Sequence, residues 1–334
     1  MQTRKLGQNG PDVSAVGYGA MSFSDFYGPT TEEASHRILD AALDLGITHL
    51  DSANVYGMGK SERAIGSYFA ARGSALRDRF TIATKASITR DKESGRRYFD
   101  NSAKHLAEEL NASLKRLGTD AVDLFYVHRR DPGIEIEEVT ETLAGLVKAG
   151  KTRAIGYSEI APTSLRRAAA IHPIAAVQSE YSLSTRSPEM GLMQTCAELG
   201  TALVAFSPVG RGLLTDRPHS ADDIAAMAFL VENPRFQHPN LSANLAATEP
   251  FRQLAAEMQT SAAALAIAWL LTRGEHVIPI PGTRSVEHLG ELAAGAALNL
   301  NAVDIARIEQ ALPIGWAHGD RYSDGQWVGP ERYC

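Results

Sequence analysis

Cysteine is scarce in this 334-residue chain, which contains only Cys196 and Cys334. Small secreted domains are commonly held together by several disulfides, and structural zinc sites need closely spaced cysteine or histidine ligands. One cysteine lies in a predicted helix and the other is the last residue, and neither has metal-site spacing. We therefore expect reduced thiols, a cytoplasmic location and no bound metal.

The chain also lacks a long hydrophobic run, a basic run and the apolar core of a signal peptide. Its longest apolar stretch, Ala262 to Leu271, is shorter than the ~20 residues of a membrane span and indicates a buried helix. The net charge is −6 and the pI is near 5.9. This balance argues against nucleic acid or an anionic membrane surface as a partner.

Short apolar segments typical of strands alternate along the chain with segments of helical periodicity. Hydrophobic residues make up 44% of the chain and charged residues 22%, which is an ordinary globular composition. Length alone suggests two domains, but α/β barrels commonly run to ~250 residues or more as one. About eight strands, each followed by a helix, predict an α/β fold in which residues 1–334 form a single (β/α)8 TIM barrel domain.

Hydrophobic periodicity and terminal cap or glycine residues define the predicted elements. Strands are predicted from Val16 to Met21, Ile47 to Leu50, Phe80 to Lys85, Val122 to His128, Thr152 to Tyr157, Ala175 to Gln178, Ala202 to Phe206 and Val277 to Ile280. Helices are predicted from Thr31 to Leu45, Ser61 to Ala70, Asn101 to Leu117, Ile136 to Ala149, Pro162 to Ile171, Glu189 to Leu199, Glu249 to Gln259, Ser261 to Leu271 and Val286 to Ala294. A turn signal at Gln8 to Pro11 predicts an N-terminal hairpin over Thr3 to Val13.

Two segments lack this periodicity. Gly210 to Thr248 is long, irregular and rich in proline, asparagine and serine, and the tail after Leu312 contains Trp316, Tyr322 and Trp327. Long irregular segments in compact domains are usually lids or binding loops. We expect both segments to serve the functional site.

Polar side chains close three successive predicted strands. Asp51 directly follows the strand that ends at Leu50, Lys85 closes the next strand, and His128 closes the third. Tyr56 lies in the loop after Asp51, just before a glycine. Because the carboxyl ends of parallel strands share one mouth of a barrel, the four side chains are expected to converge there.

Each of these residues also has a structural interpretation. Tyr56 alone is more often a half-buried packing residue, and Lys85 alone is more often a solvated strand end. His128 alone is more often a hydrogen-bonded structural histidine, and Asp51 suits a turn cap. The set is more specific than its members, because all four lie in loops or at strand ends on the same side of the fold.

Together the four residues suit proton transfer to a carbonyl oxygen. A free tyrosine has a pKa near ~10, and a neighbouring ammonium favours the phenolate and lowers that pKa. Asp51 would keep Lys85 charged and in place, and a neutral imidazole would orient the substrate oxygen. We expect a proton donor aimed at an oxygen that becomes negative as hydride reaches the carbon.

The sequence resembles the aldo-keto reductase family over nearly the whole chain. The motifs that carry the resemblance are Leu50-Asp51-Ser52-Ala53 through Tyr56-Gly57, Thr84-Lys85, Asp123 to Arg129, Gly156 to Glu159, Gln178 to Ser182, Phe206-Ser207-Pro208 and Ile280 to Arg284. The resemblance implies a (β/α)8 barrel, closed at the bottom by the N-terminal hairpin, that binds NADP(H) without a Rossmann domain. It also implies reduction of small-molecule aldehydes and ketones, with Tyr56 as general acid and Lys85, Asp51 and His128 as its partners.

The resemblance assigns cofactor positions one by one. Ser158 and Gln178 match residues that bind the nicotinamide amide, with strand-end capping as the alternative, and Phe206 matches the aromatic residue that stacks on the ring. The residues that match the pyrophosphate loop are Ser207, Pro208, Gly210 and Gly212, where Arg211 would add charge. The residues at the 2′-phosphate and adenine end are Gly282, Thr283, Arg284, His288 and Glu291. The irregular segment after Gly210 resembles the loop that folds over the cofactor.

Residues 288 and 292, at the 2′-phosphate and adenine end, depart from the family pattern. The family usually has an arginine where this chain has His288, and an asparagine where it has Leu292. Arginine binds a phosphate as a permanent, bidentate cation, whereas histidine is largely neutral at pH 7. We expect NADP(H) as the cofactor, with NAD(H) as the open alternative.

Substrate contacts are expected from the first loop and from neighbours of the catalytic residues. Met21, Phe26 and Tyr27, with Phe23 and either Trp316 or Trp327, would form an aromatic wall over Tyr56, although these aromatics suit simple loop packing equally well. Asn54 and Arg129 would supply polar contacts. The substrate would then be an aldehyde or ketone with an apolar or aromatic part.

Two other functions stay open. The same residues would serve an NAD(P)-dependent dehydrogenase that oxidises an alcohol, a sugar or a pyridoxal-like compound. Some relatives of the family bind the cofactor mainly to modulate a partner protein, which makes a cofactor-sensing regulatory subunit the alternative from another class. Turnover discriminates, because a sensor would bind cofactor but cycle very slowly. Monomer and homo-oligomer both stay open.

Overall fold

A computed structural model of the chain describes residues 1–91 and 93–333. Cys196 is a buried free thiol, as predicted, and burial raises its pKa to about 12. The prediction for Cys334 falls outside the described residues. Within the described ranges, no group of three or more histidine, cysteine, aspartate or glutamate side chains is arranged to hold a metal ion.

Eight parallel strands form the central sheet. The strands of the described chain are β1 Thr3–Lys5, β2 Asp12–Ser14, β3 Tyr18–Gly19, β4 His49–Asp51, β5 Thr81–Ala86, β6 Ile88–Arg90, β7 Arg97–Phe99, β8 Val122–Val127, β9 Thr152–Ser158, β10 Ala176–Glu180, β11 Ala202–Phe206 and β12 Val277–Pro279. The sheet runs β3, β4, β5, β8, β9, β10, β11, β12, so each of its strands lies beside the next one in the chain. This order is the one that successive β–α units produce.

The sheet closes on itself between its first and last strands. The Gly17 N–H donates to the Pro279 carbonyl oxygen and the Gly19 N–H to the Pro281 carbonyl oxygen, both over 2.9 Å. A Cβ added at Gly19 would lie 2.8 Å from the carbonyl oxygen of Ile280, so this close approach requires glycine. The closed parallel sheet confirms the predicted (β/α)8 TIM barrel.

Helices cover the outside of the barrel. They are α1 Glu32–Asp44, α2 Lys60–Arg72, α3 Ala103–Leu117, α4 Ile136–Lys148, α5 Pro162–Ile171, α6 Leu192–Leu199, α7 Ala221–Ala225, α8 Asn240–Ala247, α9 Glu249–Glu257, α10 Ala262–Leu271, α11 Val286–Ala294 and α12 Ala302–Ala311. The predicted helices are present with small shifts at their ends. At α1 the Thr31 hydroxyl accepts from the Ala34 N–H, as expected of an N-cap. The largest shift is at α6, which starts after Gly191 at φ 112° rather than at Glu189.

Some elements are absent from the prediction. The β6–β7 hairpin follows the strand that carries Lys85, and α7 and α8 lie inside the segment predicted to be irregular. Helix α12 follows the last predicted helix. Its only fully buried side chain is that of Ile308, so its apolar periodicity is weak.

The N-terminal hairpin closes the bottom of the barrel, as predicted. Strands β1 and β2 pair antiparallel, with Arg4 opposite Val13. Leu6 and Val13 pack into the cluster that fills the barrel, beside Leu124 and Tyr126. A larger cluster lies between the strands and the helices. That the whole chain is one domain stays a prediction.

Helix α10 is buried along nearly its whole length, which confirms the buried helix predicted at Ala262 to Leu271. No single helix in the described ranges is both long and apolar enough to cross a membrane. One pair, Asn240–Glu257 and Ala262–Leu271, reaches that length and composition when taken together, but the pair is bent by 88°.

Candidate active site

The four predicted catalytic side chains meet at the C-terminal mouth of the barrel. Lys85 donates hydrogen bonds from Nζ to the Asp51 carboxylate and, over 2.8 Å, to the Ser52 carbonyl oxygen. The same Nζ lies 3.5 Å from the Tyr56 hydroxyl. The rings of Tyr56 and His128 pack edge to face with centroids 5.8 Å apart. The strand-end pattern of the sequence therefore corresponds to one cluster in space.

Backbone pairing between the barrel strands fixes three of these positions. Asp51 ends β4, and Lys85 lies near the end of the neighbouring strand β5. His128 directly follows β8, and its N–H donates to the Ala86 carbonyl oxygen over 2.8 Å. The three side chains thus come from adjacent strands, whose hydrogen bonds leave little freedom to separate them.

Tyr56 is held by the tight loop between β4 and α2. Its N–H donates to the Ala53 carbonyl oxygen over 3.1 Å. The next residue, Gly57, has a φ of 59°, which favours glycine. A Cβ there would lie 2.8 Å from the Cβ of Lys60, so the loop could not keep this path with a larger residue.

The net pKa shift of Tyr56 differs from the sequence-based expectation. Burial raises its pKa, and this effect outweighs the opposing charge of the Lys85 ammonium. Lys85 does act to lower the pKa, as expected, but the net shift is upward because burial is the larger effect. The phenol is protonated at neutral pH and is a proton donor in its resting form.

Lys85 and His128 have opposite protonation states. Burial acts to lower the pKa of Lys85, but Asp51 and Tyr56 raise it, and the net shift is upward, so the ammonium is retained. Burial lowers the pKa of His128 well below its usual value, helped by nearby positive charges. His128 is therefore neutral, and its buried Nδ1 has no hydrogen-bond partner among the described residues.

Ser158 and Gln178 are tied to other residues of the site. The Gln178 amide donates to the Asp51 carboxylate over 2.8 Å. The Ser158 hydroxyl accepts from the Arg129 guanidinium over 2.9 Å. Both residues lie on adjacent barrel strands and face the same mouth as Tyr56. Their contact with nicotinamide stays a prediction.

The backbone after Phe206 adopts a run of left-handed conformations. The φ angles are 50° at Ser207, 59° at Gly210, 57° at Arg211 and 99° at Gly212. Serine and arginine are uncommon in this region, and such strain is typical of functional sites. Successive right- and left-handed residues form a concave backbone surface that suits an anion. The loop therefore fits the pyrophosphate group expected there.

The Arg211 side chain is buried and ion-paired. Its guanidinium donates to the Glu180 carboxylate over 2.6 Å and to the Arg321 carbonyl oxygen over 2.8 Å. It also lies 5.1 Å from the ring centroids of Phe229 and Tyr322. Arg211 thus ties the loop to the C-terminal tail, and its charge is compensated by Glu180. A direct contact with phosphate stays a prediction.

The second predicted cofactor cluster lies at the N-terminus of α11. The Ser285 hydroxyl accepts from the His288 N–H and caps the helix, whose N-terminal end carries partial positive charge. Arg284 is exposed beside it and donates to the Pro29 carbonyl oxygen over 2.9 Å. Thr283 and His288 lie in the same turn region. This donor set suits a phosphate group.

Leu292 stands where the family usually has an asparagine, but its surroundings in the structure are apolar. Its side chain is buried with Val16, Ala263 and Ile267 in a small apolar cluster. Packing explains a leucine there. Glu291, one residue earlier, is half-buried, so the helix presents the glutamate and not the leucine toward solvent.

The aromatic residues of the first loop pack against the long segment after β11. The rings of Phe26 and Tyr27 lie 6.5 Å and 5.9 Å from that of Phe229. Burial raises the pKa of Tyr27 to about 12. Met21 is half-buried in the same loop. These residues bring the loop and the segment together, which is one of the two roles the sequence left open.

The aromatic residues expected to complete this wall are differently placed. Phe23 is buried in the core, and Trp316 is buried with its indole N–H donating to a backbone carbonyl over 2.8 Å. The ring of Tyr322 lies 5.6 Å from that of Trp327. Tyr322, which the sequence did not single out as a substrate contact, reaches the mouth from the tail, where its hydroxyl lies 3.4 Å from the Arg129 guanidinium.

The two polar candidates beside the catalytic residues point to different partners. The Asn54 amide donates to the Glu109 carboxylate of α3 over 2.7 Å. Arg129 donates to Ser158, and its other terminal nitrogen lies 3.4 Å from the Tyr322 hydroxyl. Arg129 therefore belongs to the mouth, whereas the amide nitrogen of Asn54 is engaged with the outer helix layer.

A buried ion network at the mouth was missed by the sequence analysis. Arg321 of the tail contacts the Glu159 carboxylate, just after β9. Glu180, at the end of β10, accepts from Arg211 and lies 3.5 Å from Arg235. Both acids lie at strand ends, which is the signal that marks Asp51. Applied to every strand, it would have found them.

Fold and site together define a class of protein. This is a (β/α)8 barrel whose C-terminal mouth holds a clustered tyrosine, lysine, aspartate and histidine beside a loop suited to phosphate. The family model described as the aldo/keto reductase family matches residues 15–313. The chain belongs to the aldo/keto reductase family and is an oxidoreductase.

Individual relatives agree over almost the full length. An aldo-keto reductase of Schizosaccharomyces pombe, whose name specifies NADP(+), is 37% identical over 97% of this chain and 95% of its own. The aldo-keto reductase str7 of Strobilurus tenacellus is 36% identical over 96% and 95%. Among solved structures, a glycerol dehydrogenase of Gluconobacter oxydans matches with a TM-score of 0.80 at 26% identity, covering 93% of this chain and 94% of that one. An aldo-keto reductase of Bacillus halodurans in its holo form matches with a TM-score of 0.78 at 25% identity, covering 98% and 99%.

Proposed function

We propose that this protein is an NADP(H)-dependent oxidoreductase that reduces aldehydes and ketones to alcohols, with Tyr56 as the general acid. The observation that carries the proposal is the buried Lys85 ammonium, held by Asp51 and 3.5 Å from the Tyr56 hydroxyl. Burying a lysine ammonium costs free energy unless the charge is paired, and Lys85 has no exposed surface. Asp51 pairs the charge here, and the ammonium is held close to the Tyr56 hydroxyl.

The proton chemistry follows from the protonation states. Tyr56 is a neutral phenol at pH 7, because burial raises its pKa. When charge grows on the carbonyl oxygen, the phenol donates its proton to that oxygen, and the Lys85 ammonium stabilises the resulting phenolate. Neutral His128, packed against the Tyr56 ring, orients the oxygen. Asp51 holds Lys85 in position.

The bound nicotinamide cofactor supplies the hydride. Residues of this chain that would hold it are Ser158 and Gln178 at the amide, Phe206 against the ring, and the left-handed loop from Ser207 to Gly212 at the pyrophosphate. Arg284 and the N-terminus of α11 would hold the 2′-phosphate. The NADP(+) in the name of the Schizosaccharomyces pombe relative supports this choice.

Alcohol oxidation is the second candidate, because a proton donor in one direction is a base in the other. The likeness to a glycerol dehydrogenase favours keeping it. The two are separated by comparing NADPH-dependent reduction of an aldehyde with NADP⁺-dependent oxidation of its alcohol at the same pH. A higher kcat/KM for the alcohol would assign the oxidative direction.

The test begins with fluorescence titration of the purified protein with NADPH and NADH. Turnover is then followed by absorbance on a panel of aldehydes, for the parent protein and for Tyr56→Phe. General acid catalysis usually contributes roughly 10²–10⁴-fold, so we expect that loss in kcat with little change in the Kd for NADPH. Tyr98→Phe is the control, because Tyr98 is 41% exposed and is not one of the four clustered side chains.

The possible outcomes separate the functions. Turnover that is lost in Tyr56→Phe and kept in Tyr98→Phe would support the reductase. Tight nucleotide binding without turnover on any aldehyde or alcohol would instead support a cofactor-sensing subunit. Failure to bind either nucleotide would contradict both.

A further inference from the structure

Arg129 lies beside the reaction centre without an acidic partner. Its guanidinium donates to the His128 carbonyl oxygen over 2.7 Å and to the Ser158 hydroxyl over 2.9 Å, and approaches the Tyr322 hydroxyl at 3.4 Å. All of these partners are neutral. No carboxylate of the described residues forms an ion pair with Arg129.

A second arginine of the same mouth has no acidic partner either. Arg97, on the β6–β7 hairpin, donates to the Val328 carbonyl oxygen over 2.9 Å and lies 5.4 Å from the ring centroid of Phe99. It forms no ion pair with a carboxylate in the described ranges. Both arginines meet the same short stretch of the tail, because Arg97 donates to the Val328 carbonyl oxygen and a Cβ at the next residue, Gly329, would lie 3.2 Å from the Arg129 Cγ. The charge of Arg129 also acts with burial to lower the pKa of Arg97.

Other arginines near the mouth do have carboxylate partners, unlike Arg129 and Arg97. Arg321 is paired with Glu159, and Arg130 lies 3.4 Å from Glu331. Arg211 is likewise paired, with Glu180. Glu159, whose pKa the charge of Arg129 also helps to lower, is therefore already paired with Arg321. Arg129 and Arg97 leave two positive charges on the side of the mouth that holds His128.

Aromatic surface adjoins this charge. Tyr322 stands next to Arg129, and Trp327 packs on Tyr322. Gly329 brings the tail close to the same place, since a Cβ there would lie 3.2 Å from the Arg129 Cγ. Arg97 lies over the Phe99 ring, and Arg129 lies within reach of the Tyr322 hydroxyl. Guanidinium groups that have aromatic and hydroxyl neighbours but no carboxylate partner attract an oxyanion.

We propose that Arg129 and Arg97 form an anion subsite, and that the preferred substrate is a carbonyl compound bearing an oxyanion, either a carboxylate or a phosphate ester. The proposal rests on the reductase function and specifies its substrate class. Bidentate donation from guanidinium groups to an oxyanion would fix the substrate while its carbonyl faces Tyr56 and His128. Arg129 and Arg97 are binding residues in this scheme and exchange no proton.

The first test measures a ratio. NADPH-dependent kcat/KM is compared for 3- and 4-carboxybenzaldehyde against the matching carbamoyl benzaldehydes, and for glyceraldehyde 3-phosphate against glyceraldehyde. We expect a preference for one anionic member on the order of tenfold or more, the size of a charge-assisted hydrogen bond. The preferred pair tells a carboxylate site from a phosphate site.

Variants test whether the two arginines cause the preference for the anionic substrate. Arg129→Gln and, separately, Arg97→Gln are expected to bring the ratio toward one, whereas Arg166→Gln, at an exposed pair with Glu198, should leave it unchanged. A parent ratio near one would overturn the proposal even if neutral aldehydes are reduced. A ratio that survives both variants would overturn it as well, as would an Arg129→Gln effect confined to the Kd for NADPH.

A binding measurement decides the case independently of turnover. Benzoate, benzamide and inorganic phosphate are titrated by calorimetry into the protein saturated with NADP⁺, and into Arg129→Gln. Binding of benzoate or phosphate that exceeds benzamide binding by about tenfold and is lost in the variant supports the subsite. Equal binding of charged and neutral ligands contradicts it. If no substrate is turned over, the reductase function fails while this result still judges the subsite.

Discussion

The side-chain amide of Gln178 donates a hydrogen bond to the carboxylate of Asp51 over 2.8 Å. The other Asp51 oxygen accepts from the Lys85 ammonium. Both oxygens of a carboxylate that is only 2% exposed are therefore engaged. A residue assigned by resemblance to the nicotinamide thus also supports the charge that holds Lys85.

Replacement of Gln178 should destabilise the folded protein. Gln178→Met keeps the side-chain length but leaves one oxygen of buried Asp51 without its donor, which costs about 1–3 kcal/mol. Urea denaturation measures the change in the free energy of unfolding. Gln253→Met is the control, because its hydrogen bond to Glu249 lies at the surface. Equal stability of the two variants would show that Asp51 finds another donor.

The link between the tail and the barrel predicts a larger loss. Arg321→Leu leaves Glu159, which is 1% exposed, without its principal partner, and breaking a buried pair on one side costs about 3–5 kcal/mol. Arg166→Leu removes an exposed ion pair with Glu198 and should cost about 0–1 kcal/mol. Thermal and urea unfolding compare the two. Similar values for both variants would mean that Glu159 is reached by water or by Arg129.

Cofactor discrimination should respond to residue 288. His288 is exposed in the first turn of α11, near Arg284. His288→Arg adds a permanent charge where the 2′-phosphate is expected, so the Kd for NADPH should fall roughly tenfold while that for NADH changes little. His172→Arg adds the same charge at a half-buried position in another part of the barrel. An unchanged ratio of the two Kd values would remove residue 288 from the phosphate site.

Acid should destabilise the protein through its buried histidines. His49 has no exposed surface, and burial is the main cause that lowers its pKa. Below the ordinary histidine pKa of ~6.5 the unfolded chain binds a proton that folded His49 does not, so stability falls as the pH falls through that value. His128 acts in the same direction. His49→Gln should flatten the fall in Tm between pH 7 and pH 5, and His128→Gln should flatten it as well. Parallel profiles for the parent and both variants would argue that other groups dominate.

Individual residues show which features of the fold and site can be predicted from the sequence. Asp51, Lys85 and His128 were predictable because each follows an apolar run, and parallel strands deliver their carboxyl ends to one mouth. A threonine cap at Thr30 or Thr31 was predictable because a cap hydroxyl acts within one helical turn, and the structure places it at Thr31. These signals depend on neighbours along the chain.

Other features depend on partners that are distant in sequence. The contact between Arg321 and Glu159 joins the tail to β9, and no periodicity records it. The direction of the Tyr56 pKa depends on the balance between burial and the Lys85 charge, and only the packed site sets the burial. The β6–β7 hairpin was missed because each strand has three residues, too few for a period of two to stand out.

The seam where Gly17 and Gly19 meet Pro279 and Pro281 has a consequence for synthesis on the ribosome. The two sides of this seam are separated by most of the chain, so the barrel cannot close until residue 281 has left the ribosomal tunnel. Until then, the edges of β3 and β11 stay open to pairing with other chains. Neither proline can donate an N–H, so donors across these two contacts come from the glycine side alone. One edge of β3, whose other edge pairs with β4, must therefore wait for the last strand, and pairing with other chains competes with closure during that interval.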